Sequence, residues 1–420
     1  MTGTTEVAAY GPADPERVDV ADPRLHRDDV LAPVWRWLRH HDPVRWSAHP
    51  SGGGYWSVTT HAEAVQVLRD SRTFSSERGM RLGGDPRAAA AASRKMLIVT
   101  DPPRHGAVRR IIASAFAART VRRLEQNMKE TVTAALDRAL EQGACDFVEI
   151  AAMLPVSVIC DLLGVPRADW DFMLDRTTVA FGAVDEHGSP TAAAVEAHAE
   201  ILVYYAELVA ERRRRPREDV VTALVRGEVD GRALTDEEIL LNCDGLISGG
   251  NETTRHAAVG GLLALAAHPD QWQALRGDPG LLPTAVDEIL RWTSPGAHTL
   301  RTAVRDTELA GQRIGAGQSV VAWGASVNRD ESVFDEPDEF RLDRRPNRHL
   351  TFGHGAHYCL GGALATSELR VLFGELRQRV AEVEVAGPVR RVRSNHIAGY
   401  EEAVVALRPA AGDGKRVRHG

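Results

Sequence analysis

Residues 351–362 read TFGHGAHYCLGG, and Cys359 in that run carries most of the chemical information in the chain. The thiol lies between Gly355 and Gly361, with His354 and His357 before it and a helix-like stretch, ALATSELRVLFGELRQRV, after it. A Cys at a helix N-terminus meets the positive end of the helix dipole and free N–H groups, which stabilise its thiolate. Glycines on both sides let the backbone come close to something flat or bulky. A stabilised thiolate in such a turn is a nucleophile or a metal ligand.

Three uses of the thiol compete. One is a buried structural cysteine, since free Cys behaves as a small hydrophobe. A second is zinc, with Cys359 joined by His349, His354 and His357, a spacing that fits no usual Cys/His pattern. The third is axial ligation of haem iron by thiolate. The order F-x-x-G-x-H-x-C-x-G is met by Phe352, Gly355, His357, Cys359 and Gly361. With five fixed positions in ten, it resembles the haem-binding loop of the cytochrome P-450 family.

Composition leaves room for a large enzyme core. The 420 residues are 43% hydrophobic and 26% charged, which is ordinary globular usage. No Pro/Gly/Ser-rich linker divides the chain and no repeat shows, so residues 23–407 read as a single domain. Residues 1–22 and 408–420 lack apolar periodicity and are expected to be a mobile N-terminal segment and a disordered tail. A net charge of −7 argues against a general nucleic-acid binder. The four cysteines, Cys145, Cys160, Cys243 and Cys359, are scattered and read as reduced. No N-terminal apolar stretch serves as a signal or anchor, so the expectation is a cytoplasmic protein with no membrane partner.

Helical patterns fill most of residues 104–290. Residues 55–60 (YWSVTT) predict a strand, and HAEAVQVLRD after it an amphipathic helix. Residues 77–95 read as a loop with short helical turns. Thr100-Asp101-Pro102-Pro103 reads as a helix start, a capping residue ahead of prolines placed where N–H groups are free anyway. HTLRTAV (298–304) and SVVAW (319–323) predict strands, and strand-like runs recur around 390–396 and 402–407. One helix stands out. Thr235 and Glu238 form a capping box, and the apolar pattern runs from Ile239 to Ala267. Asn242, Asp244, Asn251, Glu252, Arg255 and His256 interrupt it, so it is a core helix and not a membrane span. The expected fold class is mainly α with small β-sheets around this long central helix.

Inside that helix lies GGNETTR, residues 249–255. Gly249 and Gly250 cost about 1 kcal/mol each relative to Ala, which close helix packing or room for a ligand would each explain. Glu252 and Thr253 follow in an apolar setting, where a carboxylate must be paired or functional. Glu288 and Arg291 in AVDEILRW sit three apart on one helix face, and His105 and Arg109 four apart on another. Arg301 lies in a predicted strand.

The resemblance to cytochrome P-450 covers about residues 25–407 through four ordered motifs. It implies a triangular helical prism and a haem b (heme b, protoporphyrin IX iron) ligated by Cys359. It implies cofactor contact by Gly249, Gly250 and Phe352, and propionate contact by His105, Arg109, Arg301 and His357. GGNETT matches the family's A/G-G-x-D/E-T-T, which implies proton delivery by Glu252 and Thr253. Glu288 and Arg291, with Arg344 of PDEFRLDR as third partner, match a structural network supporting the Cys359 loop. Thr366 stands in LATSEL where an Arg is usual, a departure that removes no catalytic group.

The implied function is a monooxygenase of secondary metabolism that inserts one atom of O2 into a small organic substrate. Hydroxylation is the default. Epoxidation, demethylation or aryl coupling would use the same parts, and a non-catalytic haem-binding or helper protein is the alternative class. The chain has no flavin or iron–sulfur motif, so a ferredoxin-type donor is expected to dock on Arg110, Arg344, Arg345 and Arg348. The resemblance lines the pocket from residues 79–95, 170–200, 246–250, 294–299 and 394–398. Met80, Arg81, Leu82, Leu246, Ile247, Ala297, His298, Thr299, Asn395, His396 and Ile397 are among them. Phe and Trp are scarce there while His, Asn and Arg are present, which points to a polar or carboxylated natural-product intermediate, free or presented by a carrier protein.

Overall fold

Thirty-two residues, Asp236–Ala267, form one helix, about 48 Å long at about 1.5 Å per residue. The expected capping box holds it at the start. Thr235 Oγ1 accepts from the Glu238 N–H at 3.2 Å, and the Glu238 carboxylate accepts from the Thr235 N–H at 2.8 Å. Buried residues occur on nearly every side of this helix, from Glu238 to Leu265, so it carries no solvent stripe. Helices Phe147–Leu163, Ala192–Arg214, Leu282–Thr293 and Gly362–Arg379 pack against it. Gly261 permits the closest approach, because a Cβ there would lie 2.6 Å from Ile289 Cγ2 and 2.9 Å from Phe373 Cζ. Ile289 and Phe373 are themselves buried in the largest core cluster, and each such side chain contributes roughly 1.5–3 kcal/mol by leaving water.

This computed structural model describes residues 15–48, 53–115, 118–182 and 191–410. A five-stranded sheet has the order Val44–Ala48, Gly54–Val58, Ser319–Trp323, His298–Ala303, Phe74–Ser75. Gly54–Val58 runs parallel to Ser319–Trp323 and the other pairs are antiparallel. A second sheet joins Val380–Arg391, Tyr400–Pro409 and Ala144–Asp146. Two strands lie where the sequence predicts them, at 298–303 and 319–323. A third differs: residues 392–396 are not strand, and the strand before them begins back at Val380. A bulge between Val380 and Glu382 leaves the buried Val380 and Val383 three apart, a spacing that looks helical in sequence.

The helix expected to start at Thr100 starts at Arg104. Thr100 Oγ1 donates to the Met96 carbonyl at 2.7 Å and so belongs to the preceding turn. Of the N-terminal segment expected to be mobile, residues 1–14 lie outside the described residues, while Val20 and Ala21 are buried in one cluster with Trp35 and Trp323. Of the expected tail, residues 411–420 lie outside the described residues, and Arg408 and Pro409 complete the last strand. Among the described residues no helix is long and apolar enough to cross a membrane.

Candidate functional site

The central helix, the Cys359 loop, the Arg104–Ala113 helix and the strand His298–Ala303 wall a cavity of about 1300 Å³. All ten residues singled out by the sequence border it: His105, Arg109, Gly249, Gly250, Glu252, Thr253, Arg301, Phe352, His357 and Cys359.

The Cys359 loop is shaped by backbone that only glycine adopts easily. Gly353 and Gly355 have φ of 69° and 72°. A Cβ on Gly355 would also lie 2.7 Å from the Leu68 carbonyl oxygen. The Cys359 N–H donates to the Phe352 carbonyl at 2.8 Å, and the Cys359 carbonyl accepts from the Gly362 N–H at 3.3 Å. The following helix begins at Gly362. Cys359 is exposed, and that exposed surface faces the cavity. Surrounding protein pushes its thiol up from the ordinary value, against the Gly361 N–H and the Arg109 charge. The Gly361 N–H at the helix end and the Arg109 charge favour the thiolate while burial opposes it, and a cation in the cavity would add to the former.

The loop is braced from behind. Glu288 is bonded by Arg291, by Arg344 Nε at 3.1 Å, by the Arg341 N–H at 3.0 Å and by Asn347 at 3.1 Å. Arg291 also donates to the carbonyls of Asn328 and Pro337, at 2.9 and 2.8 Å. Asn328 Oδ1 accepts from the Leu350 N–H at 2.7 Å, and Thr351 Oγ1 donates to the Leu290 carbonyl at 2.8 Å. The network thus ends at the two residues preceding Phe352. Arg344 is 5% exposed and committed to it, which removes Arg344 from the expected docking cations. Arg110, Arg345 and Arg348 are exposed.

A second wall collects nitrogen donors. The rings of His105 and His357 lie 4.2 Å apart. Burial, His357 and Arg109 pull His105 down to about 4, so it is neutral. His357 Nε2 is 3.2 Å from Ser76 Oγ and 3.9 Å from Asp101 Oδ1. Asp101 lies in the sequence that reads as a helix start. Instead it accepts from Ser75 Oγ at 2.5 Å and the Ser76 N–H at 3.0 Å. No sequence signal singled out Ser75 or Ser76. Arg301 is 2% exposed, donates to the Leu300 carbonyl and makes no salt bridge among the described residues, with Asp101 acting on it only at longer range. Burial pulls it down to about 10.

The central helix supplies the third group. Glu252 Oε2 accepts from Arg255 at 2.5 Å and lies 3.2 Å from His256 Nε2, whereas Oε1 is buried without a partner. Burial alone would raise the Glu252 carboxyl, but His256 and Arg255 outweigh it and hold it below the usual range. Thr253 Oγ1 donates to the Gly249 carbonyl at 3.2 Å, a bond within one helical turn. The two glycines differ. A Cβ on Gly250 would press on Ile159 at 3.2 Å, while one on Gly249 would meet nothing within 4 Å. Packing explains Gly250, and open space toward the cavity explains Gly249.

Two residues expected in the pocket turn away from it: Ile247 and Ala297 are buried in the protein. Residues 183–190 of the expected lining lie outside the described residues. Glu368 was not anticipated. It borders the cavity with Oε2 buried and unpartnered. The whole donor set fits a flat, dianionic group carrying a thiophilic metal. It offers one cavity-facing thiol, one buried guanidinium lacking a salt bridge, Arg109 and two histidines, and open space at Gly249 and Gly361.

Comparison with known proteins agrees with that chemistry. The family model "Cytochrome P450" matches residues 280–381, which hold Glu288, Arg291 and Cys359. The chain is 41% identical to cytochrome P450 NovI of Streptomyces niveus, over 94% of this chain and 98% of that protein. The crystal structure of P450 OxyD, described as involved in the biosynthesis of vancomycin-type antibiotics, superposes with a TM-score of 0.85 at 37% identity, covering 94% of this chain and 100% of that one. P450BioI, solved in complex with a fatty-acyl acyl carrier protein, gives a TM-score of 0.82 at 28% identity, covering 92% and 100%. With a thiol, a donor wall and a central helix arranged on the fold these relatives share, the chain belongs to the cytochrome P450 family of monooxygenases.

Proposed function

We propose that Cys359 ligates the iron of a haem b and that the protein hydroxylates a polar natural-product intermediate. The observation that carries this reading is a single cavity bordered by both the Cys359 thiol and the buried Arg301, which makes no salt bridge among the described residues. When bound, the haem supplies reductive activation of O2 and insertion of one oxygen atom. Arg301, Arg109, His105 and His357 hold its two carboxylates, with Asp101 and Ser76 fixing the His357 ring. Gly249 leaves room above the ring, and Phe352 and the loop glycines let the backbone approach it. Thr253 Oγ1 holds a proton that it passes on when it leaves the Gly249 carbonyl. Glu252 is ionised while paired, and it replenishes that proton only after its carboxylate turns away from Arg255 and His256 and takes a proton from solvent water. A ferredoxin-type donor docks on Arg110, Arg345 and Arg348. Charge reversal of Arg345 and Arg348 is expected to slow reduction and weaken its salt dependence.

OxyD, involved in the biosynthesis of vancomycin-type antibiotics, supports the substrate class, and the complex of P450BioI with a fatty-acyl acyl carrier protein makes presentation by a carrier protein the second reading. The deciding experiment is the absorption spectrum of the dithionite-reduced, CO-bound protein. A red-shifted Soret band of thiolate type is expected. A histidine-type band, or none, would overturn the reading.

A further inference from the structure

One part of the cavity wall gathers three cation-capable groups, His298, His396 and Arg81. His298 begins a strand, His396 lies in the turn 394–398, and Arg81 in the loop 79–84. The rings of His298 and His396 are 5.0 Å apart. His298 is used up by structure. Its Nε2 accepts from the Leu82 N–H at 2.8 Å, so Nδ1 carries the proton and donates to the Asn395 carbonyl at 2.8 Å. Neutral His298 thereby ties the loop of Arg81 to the turn of His396.

His396 has no such duty. Its Nδ1 is closed off without a partner, so the Nε2 edge is the one that meets the cavity. Buried orphan N–H groups are rarer than orphan acceptors, which puts the proton on Nε2 as a donor into the cavity. Arg81 is exposed, and its guanidinium makes no ion pair among the described residues. Burial and the Arg81 charge both pull His396 down, to about 4. No carboxylate opposes them. Asp22 is engaged by Arg24 at 2.6 Å, Asp19 accepts from the Ala21 N–H at 3.0 Å, and Glu401 acts on Arg27. The wall therefore lacks a counter-ion at Arg81, and a guanidinium beside an N–H donor matches one ligand chemistry best.

We infer that Arg81 and His396 form a subsite for a carboxylate on the substrate, Arg81 supplying the charge and His396 Nε2 one hydrogen bond. The inference rests on the cavity being an oxygenase's substrate chamber and narrows that substrate from polar to anionic. A neutral polar group would leave the Arg81 charge without a partner in the ligand.

The test is calorimetric titration of the haem-loaded full chain with linear, aromatic and terpenoid carboxylic acids, each paired with its methyl ester. At least one acid is expected to bind about tenfold or more tightly than its ester. Arg81→Gln should erase that preference by weakening the acid and leaving the ester within about twofold. His396→Gln, which keeps a donor, should retain more of the preference than His396→Ala. Arg81 is exposed and unpaired, so an unchanged melting curve for Arg81→Gln certifies its fold. Esters that match the acids, no acid binding at all, or a preference that survives Arg81→Gln each overturn the subsite. The CO spectrum of the same samples separates the two claims. A thiolate-type band without acid preference sinks the subsite alone. A missing band sinks the oxygenase reading, while calorimetry still decides the subsite.

Discussion

Glu288 accepts two hydrogen bonds from Arg291, at 2.8 and 2.7 Å, with both side chains fully buried. On a helix surface such a pair three residues apart would be worth little. Buried, each partner offsets much of the other's loss of water. Arg344, the Arg341 N–H and Asn347 complete the shell around the carboxylate. Glu288→Ala is expected to cost about 3–5 kcal/mol, because Arg291 and Arg344 stay buried without their carboxylate, and Arg291→Ala less, because Arg344 still pairs with Glu288. Denaturant unfolding of the apo variants measures it. A loss under about 1 kcal/mol in Glu288→Ala would mean that the network does not brace the loop.

Arg301 and Cys359 should matter for the haem-loaded protein far more than for the stability of the apo protein. Arg301 is a buried cation with no salt bridge and only longer-range support from Asp101, so Arg301→Met should leave the apo protein equally stable or more stable. The same change should weaken haem retention, read as haem lost to an apo-globin trap. Cys359 faces the cavity, so Cys359→Ala should shift apo stability by no more than about 0.5 kcal/mol while abolishing the thiolate-type CO band. Loss of apo stability in Arg301→Met would show that its charge is satisfied within the protein.

Thr253 and Glu252 should separate by the kind of damage done. Thr253 bonds only within its own helical turn, so Thr253→Ala should fold normally and divert reducing equivalents from product to peroxide. Glu252→Gln leaves Arg255 buried beside a neutral amide and should cost about 1–3 kcal/mol as well as slowing turnover. Equal coupling of electrons to product in Thr253→Ala and the parent would remove Thr253 from proton delivery.

The sequence carries the parts of this site that depend on spacing within one element. The capping box at Thr235 and Glu238, the i,i+3 pair Glu288–Arg291 and the glycine-flanked Cys359 are all local patterns, and all lie where they were read. What it does not carry depends on contacts across the chain. Asp101 looks like a helix cap, yet bonds Ser75 and Ser76 some 25 residues away. Arg344 reaches back 56 residues to Glu288, a contact that the family resemblance implies and that no spacing in the sequence shows. Glu368 reads as an ordinary position on an amphipathic helix, and only packing isolates its carboxyl.

Glu368 makes the pH dependence of folding a test of that packing. Burial alone, with nothing to oppose it, pushes its carboxyl up to about 8. In the unfolded chain the same group ionises near about 4.3. Between about pH 4.3 and pH 8 the folded protein therefore keeps a proton that the unfolded chain has released, and stability falls as pH rises. Below that window both states are protonated and the group costs nothing further. Glu368→Gln keeps the shape and removes the titration. Its stability relative to the parent is expected to climb from about pH 4.5 to pH 8, by up to several kcal/mol, and to level off on either side. Urea titrations at a series of pH values give the curve. A difference that is flat across this window would mean that Glu368 ionises in the folded protein as it does in water.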